Sequence, residues 1–379
     1  MRRATLADVA TLAGVSKSAV SRVLSGTPST VRISDATMAR IYEAARQLDY
    51  QPNAAARALG RKRTETIALV VPASSAEDHS DHRFSHLKLS ELLSGIDQIT
   101  TERGFHLIVQ IAGGDPFEDP RHAQIWKNGA VDGVLWLAMP LDPRLNQLGC
   151  PIVGINCAPD DRVEASTVNA DHYEAGRIAT EHLIRLGHTS IAHISAPRSL
   201  WVGAERERGY VDAMTSAGYR PRILEGDSFE ESGVALAREL MASSMPPTAI
   251  FCGGDLMAFG ALRAAQRAGV NVPDDLALIG SDGMKLCHFT TPSLSTVRMT
   301  MHRAAAEAAA ILIDDIEGTA TQRRHLVAPI ELVIRESCGF HELPPGSLDE
   351  LAVPSPDALD YELRTVGGKS SAARRSPAE

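Results

Sequence analysis

Residues 5–24, TLADVATLAGVSKSAVSRVL, decide how this chain is read. The stretch describes two short helices around a Gly-centred turn. Thr5 is a good N-cap, and Asp8 stands three residues on, where a capping-box acid reaches back to the cap. Leu6, Val9, Ala10 and Ala13 recur at helical spacing. Gly14 then breaks the pattern at a place where a tight turn takes a positive φ without steric cost. Val15 plugs the corner and Ser16 caps a second helix, whose buried stripe is Val20, Val23 and Leu24. The free face of that helix carries Lys17, Ser18, Ser21 and Arg22. A helix with small polar and basic residues on its free face fits a DNA major groove. The stretch alone also fits any small helical hairpin, so the rest of the chain has to decide.

Charge supports the first reading. The chain has 379 residues and a net charge of −9, but residues 1–63 hold 11 Lys/Arg against 4 Asp/Glu while residues 64–379 hold 27 against 43. A basic head on an acidic body binds phosphate through the head. No apolar run follows the N-terminal basic residues and none reaches the ~18–20 residues of a membrane span. The five scattered cysteines form no Cys-x-x-Cys pair, which suits a reducing compartment. A cytoplasmic protein with no membrane segment is the expectation. His79, His82 and His86 have tolerable metal spacing, but no Cys or well-placed Glu completes a shell, and no metal site or cofactor is expected. There is no Walker loop, no nucleophile elbow and no paired carboxylates in a shared cleft, so no enzyme activity is expected.

Outward from residues 5–24, Ser34 caps a third helix over 35–48, with Met38, Ile41, Tyr42, Ala45 and Leu48 on one stripe. Pro52 ends it. Asn53–Gly60, NAAARALG, is a short helix former that is marginal alone in water, flanked by Arg57, Arg61, Lys62 and Arg63. It reads as a linker that folds against something anionic, or as a plain flexible basic linker. Beyond Arg63 the chain turns to strands alternating with helices. Strands are expected at 67–71, 107–111, 133–137 and 152–155, and, in a second series, at 191–195, 223–225, 249–252, 277–281 and 332–335. Helices are expected at 89–101, 173–186, 205–217, 232–241, 256–268 and 303–316. Two such series make two doubly wound α/β lobes with a cleft between them. Residues 341–379, rich in Pro, Ser and charge, read as a disordered tail.

Residues 5–24 reproduce TxxDVAxxAGVSxxTVSRVL, with Ala19 for the usual Thr. Tyr50, Pro52, Asn53, Ala56, Arg57 and Leu59 match YxPNxxAR-x-L. ATEHLIRLGHTSIAHI (179–194), Arg206-x-x-Gly209-Tyr210, PTAIFCGGDLMAFGALRA (247–264) and LALIGSDG (276–283) match further landmarks. On these motifs the chain resembles the lactose-repressor (LacI/GalR) family of bacterial transcription regulators from about Thr5 to Phe340. The resemblance implies a three-helix helix-turn-helix head at 1–50 and a hinge at 51–63. It further implies a periplasmic-binding-protein-like core of doubly wound parallel sheets at 64–340. Lobe 1 would comprise 64–165 and 292–322, and lobe 2 166–291 and 323–340. The chain would cross between them near 164–168, 288–294 and 320–328. It implies a homodimeric repressor of operator DNA under control of a small-molecule effector, expected to be a sugar, with a purine as the alternative.

Lys17, Ser18 and Arg22 are the candidates for reading bases, and Ser16 and Ser21 for touching phosphate. Thr5, Asn53 and Arg57 complete the expected DNA face. By resemblance Leu59 wedges into the minor groove at the operator centre; alternatively it packs against its dimer mate. In the core, Arg206 and Asp282 match positions that hold a sugar's hydroxyls. Asn156 ends a first-lobe strand, where α/β sheets bind ligands. Asp255 lines the cleft or caps the following helix. Trp201 and Phe229 either stack on a sugar face or fill the core. Four places depart from the family pattern: a longer 25–34 loop, the 73–86 loop, Gly254 in place of Asn, and His172 where Asn is typical.

Overall fold

The computed structural model describes residues 4–25, 33–50, 63–72, 87–119, 124–126, 128–319, 322–339 and 364–365. The head consists of α1 (Leu6–Ala13), α2 (Lys17–Ser25) and α3 (Asp35–Gln47). Val9, Ala10, Ala13, Val20 and Val23 close over Ile41, Ala44 and Ala45 in one small core. Tyr42 departs from its expected place on the buried stripe: it is 55% exposed, because Ala44 and Ala45 supply the inner face.

The body has two sheets. The first contains β1 (Thr66–Pro72), β2 (His106–Ala112), β3 (Gly133–Leu137), β4 (Ile152–Ile155), β5 (Ala165–Ala170), β11 (His325–Ala328) and β13 (Arg364–Thr365), in the order β13-β11-β5-β4-β3-β1-β2. The second contains β6 (Ile191–Ser195), β7 (Ile223–Glu225), β8 (Ala249–Cys252), β9 (Ala277–Asp282), β10 (Ser295–Met299) and β12 (Ile330–Val333), in the order β12-β10-β9-β8-β6-β7. Among the described strands only β13 and β12, at the sheet edges, run antiparallel to their neighbours. Parallel strands covered on both faces read as continuous apolar runs, and β1, β4 and β8 do so. α4 (Leu87–Arg103) and α9 (Met301–Glu317) pack on one face of the first sheet. α5 (His172–Arg185) and α6 (Trp201–Ser216) cover one face of the second sheet, and α7 (Glu230–Met241) and α8 (Asp255–Ala268) the other.

The sheets correct the expected lobe limits. β5 belongs wholly to the first sheet, β10 to the second and β11 to the first, so the chain crosses at about 171, 300 and 329. Each crossing has a local cause. Asp171 caps α5, α9 begins after Thr300, and Pro329 removes a ladder donor between β11 and β12. The final strand lies two residues earlier than expected for the same reason. Of the expected disordered tail, residues 364–365 pair with Leu326 and Val327, because the open edge of β11 offers unpaired backbone groups.

Candidate nucleic-acid interface and ligand cleft

The head presents its polar residues through local chemistry. The Thr5 hydroxyl accepts from the Asp8 amide at 3.3 Å, and the Thr5 amide donates to Asp8 Oδ2 at 2.8 Å, closing the capping box. Gly14 caps α1 at φ +62°, and the Val15 amide returns to the Ala10 carbonyl at 3.1 Å. Ser16 caps α2 by accepting from the Ala19 amide at 3.2 Å, and its hydroxyl shares a 2.9 Å bond with Ser18. Lys17, Ser18, Ser21 and Arg22 are all exposed on the side of α2 away from Val20 and Val23. The structure therefore brings the six head candidates onto one short segment, with Thr5 and Ser16 also bound into caps. Asn53, Arg57, Leu59 and the three histidines at 79, 82 and 86 lie outside the described residues.

The cleft candidates stand at the carboxyl ends of strands. Their placement begins with two glycines. A Cβ on Gly176 would lie 2.0 Å from the Arg206 carbonyl oxygen, and one on Gly209 2.0 Å from that of Tyr173. Only glycine lets α5 and α6 approach this closely, and the contact seats Arg206 against the second sheet. Arg206 is 6% exposed. Its Nη2 donates to Asp282 Oδ1 at 3.0 Å and approaches Met299 Sδ at 3.3 Å, while Nη1 donates to the Gly253 carbonyl. Arg206 Nε, Ser195 Oγ and Ser281 Oγ are buried without a hydrogen-bond partner among the described residues.

Asp282 ends β9 at φ +134°, a backbone region that costs a non-glycine residue about 1–3 kcal/mol. The loop behind it is clamped. Asp255 accepts from the Met284 amide at 2.7 Å and from the Thr296 hydroxyl at 2.6 Å, and Thr296 Oγ1 accepts from the Gly283 amide at 3.1 Å. Asp255 is thus neither a cap nor a cleft-lining group: it is fully buried, and the N-cap of α8 is Gly254. Its carboxylate holds Asp282 in place from behind.

Asn156 follows β4 at φ +55° and is spent on the crossover. Its Oδ1 takes the Ala170 amide at 3.2 Å and stands 3.1 Å from His172 Nε2, and its Nδ2 approaches Met301 Sδ at 3.5 Å. His172 in turn meets Trp201, at the first position of α6, edge to face at 5.6 Å. Phe229 stands before α7, its amide held by Asp227 Oδ1 at 2.8 Å. Two clusters result, Arg206–Asp282 with Asp255 behind it, and Asn156–His172–Trp201. Both Trp201 and Phe229 are half-buried. Sequence reasoning missed Thr296 and Met299, in a strand it did not find, and Met301, the first residue of α9. His172 was noticed only as a departure from pattern.

Beneath the cleft, His193 stacks on Phe251 at 4.7 Å, with Nδ1 at 2.9 Å from the Phe251 carbonyl. Full burial pushes its pKa down to about 4, so the ring is neutral. Burial pushes the thiols of Cys252 and Cys287 up, so both stay protonated. Among the described residues no group of three or more His, Cys, Asp or Glu is arranged to hold a metal, and no helix is long and apolar enough to cross a membrane.

A helix-turn-helix head joined to two parallel-sheet lobes, with charged residues at the strand ends between them, defines a DNA-binding regulator with a ligand-binding core. The comparisons agree. Residues 5–53 match the profile of bacterial regulatory proteins of the lacI family, and residues 180–338 that of periplasmic binding protein-like domains. The HTH-type transcriptional regulator CelR of Thermobifida fusca is 35% identical over 349 residues, 89% of this chain and 98% of its own length. The HTH-type transcriptional repressor PurR of Vibrio campbellii is 30% identical over 88% of this chain and 98% of its own. A solved transcriptional regulator CelR–cellobiose complex is 33% identical with a TM-score of 0.66, covering 88% of this chain and 100% of that one. The lac repressor dimer bound to operator and the anti-inducer ONPF shares the fold at 24% identity and a TM-score of 0.76, over 89% of this chain and 99% of that one. The chain belongs to the lacI family of bacterial transcriptional regulators.

Proposed function

We propose that this regulator is a homodimeric repressor that binds a pseudo-palindromic operator through its two heads and releases or grips it according to a sugar held between the lobes. The observation that carries the sugar reading is the buried Arg206–Asp282 pair at 3.0 Å. A guanidinium donates to hydroxyl oxygens and a carboxylate accepts from hydroxyl hydrogens, so the pair suits vicinal hydroxyls. The similarity to a regulator solved with cellobiose supports that class and suggests cellobiose as the first ligand to try. The hinge at 51–63, with Asn53, Arg57 and Leu59, folds on operator DNA. The sugar acts by binding the two arrangements of the lobes with different affinity.

The PurR relatives favour a purine, and one experiment separates the two. The full chain is titrated calorimetrically with cellobiose, glucose, adenine and guanine. Operator duplexes selected by the chain from random DNA then report the response. Cellobiose is expected to bind and to shift operator affinity. Asp282→Asn is expected to abolish that shift while still binding operator. Tight binding of a purine base and of no sugar, or an unchanged response in Asp282→Asn, overturns the reading.

A further inference from the structure

We infer that Lys369, Arg374 and Arg375 form a second DNA contact, delivered to the operator side of lobe 1 by β13 and gripping backbone phosphates. The inference rests on the operator reading above and adds a binding segment to it. The match to binding-protein-like domains ends at residue 338, so β13 lies beyond the part of the chain that the family profiles cover.

The direction of β13 carries the argument. In the first sheet β1, β2, β3, β4, β5 and β11 are parallel, so their first residues share one end of the sheet. The chain arrives from the head at that end. There Arg63 Nη2 donates to the Ile316 carbonyl at 2.7 Å, and the Thr64 amide donates to Asp132 Oδ1, just before β3, at 2.8 Å. β13 runs antiparallel to β11, with Thr365 opposite Leu326 and Arg364 opposite Val327. It is therefore entered from the carboxyl ends of the parallel strands, which face the cleft. It is left at the end that faces the hinge.

Charge changes sign across the same strand. Residues 340–363 hold six Asp/Glu and no Lys/Arg, whereas residues 364–375 hold four Lys/Arg and no Asp/Glu. The chain thus comes into β13 through acidic residues on the cleft side and leaves it through basic residues on the hinge side. A strand of the opposite direction would bring the acidic residues toward the DNA. The distance is within reach. β13 and β1 stand five strands apart, about 24 Å at ~4.8 Å per strand. The stretch from Val366 to Arg375 spans up to ~33 Å when extended. Lysine and arginine set among Ser and Ala, as in KSSAARR (369–375), offer no apolar face for a core. Such a segment binds phosphate, which supplies affinity without reading sequence.

The test compares the full chain with the triple variant Lys369→Gln/Arg374→Gln/Arg375→Gln. Binding is measured from about 50 to 200 mM salt. The probes are an operator duplex selected by the chain from random DNA and a scrambled duplex of the same length. Losing three phosphate contacts should weaken both duplexes by the same factor, roughly tenfold or more at low salt, and lower the salt slope by about 2–3. Melting temperature and base preference should not move. A second variant, Arg364→Pro/Thr365→Pro, keeps the three basic residues but cannot pair with β11. Of two neighbouring residues in an antiparallel ladder, one donates its amide to the partner strand, and proline has no amide hydrogen. This variant should lose affinity for both duplexes, by a smaller factor than the triple variant. Equal affinity and salt slope in the triple variant overturn the inference and leave the operator reading standing. A loss confined to the operator duplex overturns it too, since the tail would then read bases. Full affinity in the double proline variant does the same, since β13 would then not deliver the segment. Failure of the unaltered chain to prefer any duplex overturns the operator reading, and this inference with it.

Discussion

Arg22 in the head stands exposed on the outer face of α2, whereas Arg206 in the second lobe is 6% exposed and is bonded to Asp282 and the Gly253 carbonyl. In the proposed function the same guanidinium serves two kinds of recognition. A head that meets a polyanion can leave its charges hydrated until the phosphates arrive, because counterion release supplies the affinity. A cleft that meets a small neutral ligand has no such field to draw on. It must hold its donors and acceptors in place beforehand, which costs desolvation and backbone strain such as the +134° φ of Asp282. Substitutions in the cleft should therefore move stability and ligand response together, while those on the outer face of α2 should move DNA binding alone.

The largest effect is expected at Arg206. Arg206→Met removes the guanidinium bonded to the Asp282 carboxylate, which is 14% exposed, and breaking a buried pair in this way costs about 3–5 kcal/mol. The cost is measured as a fall in the urea midpoint. Adding Asp282→Leu should recover much of the loss, since the carboxylate that Arg206 neutralised goes with it. A single substitution that costs no more than a surface change would break the contrast between the two regions.

The pH dependence of the second lobe comes next. His193 is pushed down to about 4 from 6.5 by burial, and His182 and His188 are lowered in the same direction. Between pH 6.5 and 4 the unfolded chain binds the proton that the folded chain refuses, so stability is present above 6.5 and lost as pH falls through that window. For His193 alone the loss is on the order of 3 kcal/mol. Urea midpoints at pH 7.5 and 5 should differ accordingly, and His193→Gln should flatten the difference. An equal slope in the variant would place the pH sensitivity elsewhere.

The two regions also differ in how far the sequence disclosed them. Thr5 bonds to Asp8 and Ser16 to Ala19, three residues away, so periodicity and cap chemistry find the head directly. Arg206 bonds to Asp282 across 76 positions and Asp255 to Thr296 across 41. No local pattern carries such pairings: the two α/β series implied a cleft, but Arg206 and Asp282 were placed in it only through resemblance. β5, β10 and β11, which went unread, flank the crossovers, and the two-residue β13, unread as well, lies in the expected tail. β5 (ASTVNA), β10 (STVRM) and β11 (HLVA) set Ser, Thr, Asn, Arg or His among few apolar residues, so they gave too weak a signal to find. That is why the expected crossings came early and why Thr296 and Met299 were absent from the candidates. Asp255 was recognised as important but misplaced, because a carboxylate at a helix start looks like a cap until its partners at 284 and 296 are known.

On the head, Arg22→Ala is expected to cost about 1–3 kcal/mol of discrimination at one base pair per half-site while leaving stability within about 0.5 kcal/mol. Competition binding with operator variants reads the first and chemical unfolding the second. Loss of affinity without any change in base preference would make Arg22 a phosphate contact. It would leave Lys17 and Ser18 as the readers.

The smallest effect concerns Thr5, which the structure gives two duties. Its hydroxyl donates to Asp8 Oδ2 at 2.7 Å and accepts from the Asp8 amide at 3.3 Å, so removing it leaves a first-turn donor of α1 without its side-chain partner. Loss of a Thr cap costs about 0.5–2 kcal/mol, and the long amide contact puts Thr5→Ala near 1 kcal/mol. The Thr5 amide keeps its 2.8 Å bond to Asp8, so half of the capping box survives. Amide hydrogen exchange in α1 should quicken several-fold, while the urea midpoint of the lobes stays fixed because no described head residue packs in their cores. Thr5→Ser restores the hydroxyl and should restore protection. If Thr5→Ala left α1 exchange unchanged but weakened operator binding with a shallower salt dependence, the hydroxyl would be a phosphate contact alone. The outer surface of the head, rather than its caps, would then account for everything Thr5 does.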